Sequence, residues 1–198
     1  MEFLEFDRAW RTLTEEDVVT LTGEPPADLA AMQIDYDERR TAHRTIFAAR
    51  PDHEPDVADA EFLEIPRERA GEVLEHILHK LHLAPLVLLP IGRWRAVFDV
   101  VTPQLADNEQ WVAIDSAATV ELNTRDPLVC ELRDLHLLRT LVDTVLAHAE
   151  TLEQGISIAA VQAPLLVEVE AAGGVLLTIG NESLADEVRA VAKALMEG

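Results

Sequence analysis

Residues 165–180 read LLVEVEAAGGVLLTIG, a stretch that predicts a β-hairpin. Apolar residues alternate on both sides of a three-residue Ala-Gly-Gly loop, 172–174, with Gly174 in the left-handed region. This register places seven apolar residues on one face: Leu165, Val167, Val169, Ala171, Val175, Leu177 and Ile179. A two-residue loop would move Glu168 and Glu170 onto an apolar face. We therefore reject that loop and expect an antiparallel pair of strands.

The chain from residue 66, which includes this hairpin, is expected to contain helix, three strands, helix, two strands and helix, in that order. The expected ranges are 66–82, 86–91, 94–101, 111–122, 127–152, 165–171, 175–180 and 184–196. Segment 156–163 is apolar, and its type stays open. Short turns between consecutive strands favour an antiparallel sheet with helices packed on it. The predicted class is therefore α+β.

The expected order of elements is similar to that of the small acidic chaperones that hold bacterial secretion substrates. This resemblance covers about two-thirds of the chain and includes no sequence motif. It implies an α+β fold and a protein-binding role, which related proteins of that fold need not share. No site residue can be transferred from it, because a fold alone does not carry a function.

The N-terminal part has weaker patterns. A capping-box pattern that starts at Thr14 and a stop at Gly23 predict a short helix at 15–22. Segment 27–49 is interpreted as a short helix followed by extended chain. Residues 50–60 are rich in proline and acid, which is typical of a linker. Residues 1–60 are therefore expected to form a segment packed on the main domain, 61–198, because so short a segment rarely holds a core alone.

Charge restricts the expected partners. The chain has 37 acidic and 16 Lys or Arg side chains, for a net charge of −21. Such a surface repels phosphate and anionic lipid, so neither nucleic acid nor a membrane is expected as a partner. Two interpretations of the charge stay open: it keeps the protein in solution, or it attracts a basic protein partner.

Cysteine content and the first residues indicate the compartment. Cys130 is the single cysteine, so an internal disulfide is excluded and a reducing compartment fits best. The chain begins MEFLEFD, which is acidic where a signal peptide would be basic and then apolar. No run of 18 apolar residues follows. These features predict a cytoplasmic protein.

Catalytic signatures are missing from the sequence. Its eight glycines form no G-x-G-x-x-G, G-x-S-x-G or G-K-[ST] motif, so no nucleotide or other cofactor is expected. His76, His79 and His82 recur every third residue, yet they spread over about 120° around their predicted helix. One ion could not readily reach all three, so no metal site is predicted.

A possible ligand site follows from the predicted strands 94–101 and 111–122. If Val101 opposes Trp111, one face of the sheet carries four candidate ligand-binding residues. They are Arg95, Asp99, Trp111 and Asp115. The two carboxylates would be diagonal neighbours, able to raise one pKa or to hold a hard cation. An ion pair on a solvated sheet explains the same residues.

A possible interface follows from the predicted helix 127–152, which has apolar residues on two sides. Cys130, Leu137 and Leu141 lie nearly opposite its main apolar face. A sheet covers one side of a helix, so these three residues predict a homodimer interface. The alternative is that another segment, 27–49 or 156–163, covers them within one chain.

Two hypotheses about function follow from the sequence. The favoured hypothesis is a non-enzymatic protein-binding, adaptor or chaperone-like protein that acts through an acidic surface and a dimerising helix. The alternative is an enzyme or small-ligand-binding protein that uses the face of Arg95, Asp99, Trp111 and Asp115.

Overall fold

The structure, a computed structural model, describes residues 1–14, 19–22, 33–52, 57–118, 126–148 and 155–197. Within these residues, helices pack against an eight-stranded sheet that is mostly antiparallel. The α+β class predicted from the sequence is thereby confirmed.

The described residues form six α-helices and ten strands. The helices are α1 (Phe6–Thr14), α2 (Ala70–Lys80), α3 (Trp94–Val101), α4 (Glu109–Ala118), α5 (Leu135–Ala147) and α6 (Glu182–Glu197). The strands are β1 (Glu2–Phe3), β2 (Val19–Thr22), β3 (Gln33–Tyr36), β4 (His43–Phe47), β5 (Ala60–Leu63), β6 (Leu86–Ile91), β7 (Leu128–Cys130), β8 (Gly155–Ala160), β9 (Leu165–Glu170) and β10 (Gly174–Ile179).

The large sheet has the strand order β1-β7-β6-β8-β9-β10-β4-β5, and β2 pairs with β3 separately. Strands β4 and β5 run parallel, whereas the other described neighbours in the sheet run antiparallel. Strand β4 lies between β10 and β5 although it precedes them in an N-terminal segment. The first sixty residues therefore supply an interior strand of the same sheet that residues 61–198 build.

The hairpin has the apolar face that alternation predicts, but its loop is 171–173 rather than 172–174, so the strand pairing is shifted by two residues. Val175 lies opposite Val169 and Leu177 opposite Val167, and the seven predicted apolar residues are all buried. Gly174 has a φ of 87°, and a Cβ at this position would lie 2.5 Å from the carbonyl oxygen of Phe47. The loop conformation and the close approach of β4 thus both require glycine at 174.

The core occupies both faces of the sheet. A large cluster joins one face to α2, α3, α4, α5 and α6. A smaller one joins the other face to α1, through Phe6, Ala9 and Leu13. Most of segment 156–163, which was not assigned to a helix or a strand from the sequence, forms strand β8. This strand is buried along its whole length between β6 and β9. Its position in the middle of the sheet explains why every side chain in it is apolar or small.

Residues 94–101 form helix α3, so the predicted strand is wrong. Trp94, Val97, Phe98 and Val101 are buried, and their spacing of three, one and three residues is that of one helical face. The β-branched and aromatic composition had favoured a strand. Packing of this buried stripe in the core outweighs the strand preference of these residue types, so the segment is helical.

Residues 109–118 form helix α4, so the predicted strand 111–122 is also wrong; its last four residues lie outside the described residues. Asn108 caps this helix: its Oδ1 accepts a hydrogen bond of 2.9 Å from the backbone N–H of Trp111. Trp111, Ile114 and Ala118 then face the core.

The predicted helix 127–152 begins later than expected. Residues 128–130 form strand β7 between β1 and β6, and α5 starts at Leu135 after a 3-10 turn at Leu132–Asp134. Glu131 and Asp134 cap that turn reciprocally, which provides a new helix start. Residues 149–152 of the prediction lie outside the described residues.

The observed order from residue 66 is helix, strand, two helices, strand, helix, three strands and helix. It differs from the expected order, and the resemblance to secretion chaperones was based on that order. The predicted helices 66–82 and 184–196 and strand 86–91 are found as α2 with its preceding turn, α6 and β6.

The N-terminal predictions have mixed outcomes. Residues 19–22 of the predicted helix 15–22 form β2, while a helix, α1, precedes them. The extended chain predicted within 27–49 is found as β3 and β4. The short helix expected at its start falls on residues outside the described part, as do 53–56 of the predicted linker.

Candidate functional site

Strand β5 forms one border of the sheet. It pairs with β4, Phe62 lying opposite Ile46, and no described strand pairs with its other side. Asp59, with a φ of 58°, turns the chain into the strand in a left-handed conformation that Asp tolerates better than most residues. The free side of an edge strand presents N–H and C=O groups that another chain can pair with.

A groove of about 440 Å³ lies between β5 and helix α6. It is lined by residues 61–65 on the strand side and by Ala192, Lys193, Met196 and Glu197 on the helix side. Its walls are therefore both apolar and charged. The apolar stripe of α6, with Val188, Val191 and Ala192 buried, fixes the helix against the sheet and so fixes the width of the groove.

Ion pairs connect the two walls of the groove. A carboxylate oxygen of Glu61 lies 3.0 Å from the Lys193 ammonium, and its other oxygen lies 3.3 Å from the Arg189 guanidinium. Arg189 also binds Asp186, one turn earlier on α6. Because these groups are partly exposed, each pair contributes less than about 1 kcal/mol to stability. Their main effect is that the positive charges of Arg189 and Lys193 are already neutralised by carboxylates beside the groove.

Phe62 projects on the other side of the strand. Its side chain is 54% exposed, the largest value among the large hydrophobic residues of the described chain. Since Glu61 contacts α6, the alternation of a strand points Phe62 to the opposite face. A second groove of about 380 Å³ is lined by residues 46–49 and 62–66 and shares residues 62–65 with the first. The strand thus borders two adjoining grooves.

Carboxylates surround this border of the sheet. Asp59, Glu64, Glu68 and Glu197 are all exposed. Together with Glu61 they give the surface around β5 a negative charge that the two cations of α6 do not balance. A negative surface with an exposed aromatic ring at its centre favours a ligand that is both basic and apolar.

Arg67 follows this strand but does not offset its charge. The guanidinium donates hydrogen bonds to the carbonyl oxygens of Ala48 at 2.6 Å, Leu146 at 2.7 Å and Ala171 at 2.5 Å. Burial lowers the pKa of this guanidinium, although an arginine stays charged near neutral pH. Arg67 therefore ties the ends of β4, α5 and β9 together and points away from the grooves.

The four residues predicted as a ligand site are not arranged on one sheet face, because they belong to two helices. Arg95 and Asp99 are exposed on α3, on the side away from its buried stripe. Trp111 is fully buried, and its ring centroid lies 4.9 Å from that of Phe98. Trp111 thus packs in the core, where no ligand could reach it from the exposed side of α3.

Trp111 and Asp115 do meet, through a third residue. The indole N–H donates to the Thr102 hydroxyl at 3.2 Å, and that hydroxyl donates to Asp115 at 3.2 Å. This chain satisfies a buried indole and links α4 to the turn after α3. Its geometry is that of a structural link, and the strand pairing on which the predicted carboxylate site at Asp99 and Asp115 depended is not formed.

The three predicted interface residues are in the core. Cys130, Leu137 and Leu141 are each 0% exposed within a single chain. Cys130 lies on β7, while α5 packs against both α2 and α3, so the second apolar side of α5 is covered within the chain. Burial raises the pKa of the Cys130 thiol to about 12, which leaves it a packing group rather than a nucleophile.

The histidine stripe lies on the outer side of α2. His76 and His79 line a shallow groove of about 380 Å³ with Glu72, Glu75 and Arg139. The rings of His79 and His82 are 6.4 Å apart, and His82 has left the helix with a φ of 53°. Among the described residues, no group of three or more His, Cys, Asp and Glu side chains could hold a metal ion.

Comparisons with protein-family models, with curated proteins and with solved structures give no match to this chain. In the part of the chain that the structure describes, no helix is long and apolar enough to cross a membrane.

Sequence reasoning missed the border strand. Residues 60–63, Ala-Glu-Phe-Leu, are too few to show an alternating pattern, and they follow a stretch typical of a linker. The one signal was Phe62 itself, a large apolar residue among acids. That it lies exposed at a sheet border depends on the long-range pairing of β4 with β5, which no local pattern encodes.

Proposed function

We propose that this protein is a non-enzymatic protein-binding or adaptor protein, and that it binds a basic segment of a partner through the acidic surface around β5. The observation that carries the proposal is Phe62, exposed on a border strand and surrounded by carboxylates. Aromatic residues contribute strongly to binding where they become buried at an interface. The surrounding charge would select the partner and speed its approach.

The charge of the whole chain supports the same partner. A net charge of −21 creates a field that attracts cations and repels nucleic acid. The carboxylates at β5 are therefore part of a surface that is acidic overall, and the apolar ring distinguishes this place from the rest. The charge of the whole surface would attract a basic protein, and the exposed ring of Phe62 would hold it at β5.

No observation favours an enzyme over this proposal, because the four residues predicted for a ligand site are divided between the surface of α3 and the core. A homodimer stays a prediction from the sequence, but Cys130, Leu137 and Leu141 cannot form its interface. We also propose the cytoplasm as the place of action, since a single buried thiol suits a reducing compartment.

Selection from a random peptide library tests the proposed function. The immobilised protein is panned after the library has been depleted on an unrelated acidic protein of equal net charge, which removes peptides that bind any polyanion. We expect enrichment of peptides that combine Lys or Arg with apolar residues. Repeated selections without enrichment, or enrichment of acidic peptides, would contradict the proposal.

A further inference from the structure

We propose that β5 is the docking strand, and that a basic, extended segment of the partner protein adds to the sheet beside it. This inference rests on the proposed protein-binding function and specifies both the site and the shape of the ligand. Addition of a strand to an exposed sheet edge is a general mode of peptide recognition, in which the main chain provides affinity and alternate side chains provide specificity.

The backbone of β5 is suited to this role. Its four residues lie at the end of the sheet, with β4 on one side and no described strand on the other. The opposite border strand, β1, has two residues. Of the two borders, β5 therefore has the longer edge to offer.

The two grooves match the side chains of an added strand. Successive side chains of a strand point to opposite faces, so one set would enter the groove beside α6 and the other would lie next to Phe62. The grooves measure about 440 and 380 Å³, within the range of roughly 300–1,000 Å³ that is typical of ligand pockets. A segment with alternating residue types would fill both.

Charge determines which residue types would bind. Glu64 and Glu197 are exposed at the two grooves and form no ion pair with a described residue, whereas Glu61 is already paired with Lys193. Lys or Arg side chains in the added segment would find these carboxylates. Apolar side chains that alternate with them would point to the other face of the segment, where they would cover Phe62.

A second copy of this chain is a poorer occupant. Pairing β5 with itself would bring Glu61 and Glu64 of both copies to one border, and like charges across a strand pair are destabilising. A basic segment meets the same carboxylates with the opposite sign. The acidic border thus excludes its own copy and selects a partner of opposite charge.

The test uses the full-length protein and a fluorescent peptide of sequence Lys-Val-Lys-Val-Lys-Val-Lys, capped at both ends. Two control peptides separate the contribution of charge from that of main-chain hydrogen bonds. One has Glu in place of Lys, and the other carries N-methyl groups on alternate residues along one edge. The methyl groups remove the N–H donors of that edge but keep the charge and side chains. We expect the N-methyl peptide to bind at least about tenfold more weakly, because two or more hydrogen bonds are lost.

Two variants with matched controls locate the site. Phe62→Ala and Glu64→Lys are each expected to weaken peptide binding roughly fivefold or more. Their controls are Val112→Ala, which removes another exposed apolar side chain, and Asp99→Lys, which reverses another exposed charge. Asp99 lies on α3 and Val112 on α4, away from β5. Both control variants should therefore bind the peptide as the wild type does. Thermal unfolding verifies that all four variants are folded.

The outcomes separate this inference from the proposed function. Tight binding that survives Phe62→Ala, Glu64→Lys and N-methylation would overturn docking at β5 while leaving protein binding intact. Failure to bind this peptide, together with failure of the library selection, would overturn both. Self-association of the protein that Phe62→Ala abolishes would replace the partner by a second copy.

Discussion

Asp134 is a buried carboxylate whose partners come from three elements. Its oxygens lie 2.6 Å from the Met1 ammonium and 2.8 Å from the side-chain amide of Gln110, and it also accepts the N–H of Glu131. Burial by itself would raise the pKa of Asp134, but these hydrogen bonds and the positive charge together lower it below its usual value. The residue therefore joins β1, α4 and the start of α5.

We predict that Asp134→Asn destabilises the protein by about 3 kcal/mol at neutral pH, because it leaves a buried ammonium without its counter-charge. Urea unfolding measures the loss. The matched control is Asp99→Asn, an exposed carboxylate on α3, which should change the free energy of unfolding by less than about 0.5 kcal/mol. Equal effects of the two substitutions would contradict the role of Asp134.

The same residue predicts a pH dependence. Because the folded-state pKa of Asp134 is lowered, its stabilisation is present above the unfolded pKa of about 3.9 and is lost as pH falls through the folded value. The difference in stability between wild type and Asp134→Asn should therefore be constant between about pH 5 and pH 7 and shrink below about pH 4. A difference that grows towards acid pH would have the wrong sign.

At the scale of elements, the hairpin depends on one of its two glycines. Gly174→Ala is expected to cost at least about 2 kcal/mol, because it adds left-handed strain and a contact with the backbone of β4. Gly173→Ala should change stability by less than about 0.5 kcal/mol, since its Cβ would meet only the flexible side chain of Glu170. Urea unfolding of the two variants compares them directly; a reversed order would contradict the observed loop.

Helix α5 belongs to the core on both of its apolar sides, which gives a further prediction. Leu137→Ala should cost about 3 kcal/mol, and Leu137→Glu should not yield a folded protein. Leu132→Ala is the control, since Leu132 is 39% exposed, and it should cost less than about 1 kcal/mol. A folded, monomeric Leu137→Glu protein in sedimentation would instead restore the dimer interface predicted from the sequence.

Elements with one unambiguous period were predictable from the sequence. The hairpin alternates strictly over two strands, and α2 and α6 have continuous apolar stripes, so each was assigned correctly. Helix α3 was not, because Trp94–Val101 is apolar at both helical and alternating positions and its residue types favour strands. The start of α5 was missed since Pro127 is typical of a helix start but here precedes a buried strand, β7.

At the scale of the whole molecule, the candidate site depends on pairings that local patterns do not contain. The chain brings β4 from the N-terminal segment next to β10, and only then does β5 become a border with α6 beside it. The acidity of the surface was predictable from composition. The place where that acidity surrounds an exposed aromatic ring required the sheet order.

The net charge gives a kinetic prediction for any basic partner peptide. Between about 0.1 M and 1 M salt the Debye length falls from about 10 Å to about 3 Å, so the association rate should fall at least tenfold. The dissociation rate should change much less, because Phe62 contacts and main-chain hydrogen bonds are short-ranged. Stopped-flow fluorescence measures both rates. If salt changed the dissociation rate more than the association rate, this prediction would be wrong.

Hydrogen exchange of the backbone amides, with and without the Lys-Val peptide, measures whether a strand adds at β5. Strand addition at β5 predicts new protection in residues 60–65, where N–H groups of the outer side gain partners, and little change in β1 or along α3. Protection confined to α3 and α4 would place binding at the surface first suggested by Arg95 and Asp99. Binding without new protection in β5 would contradict strand addition.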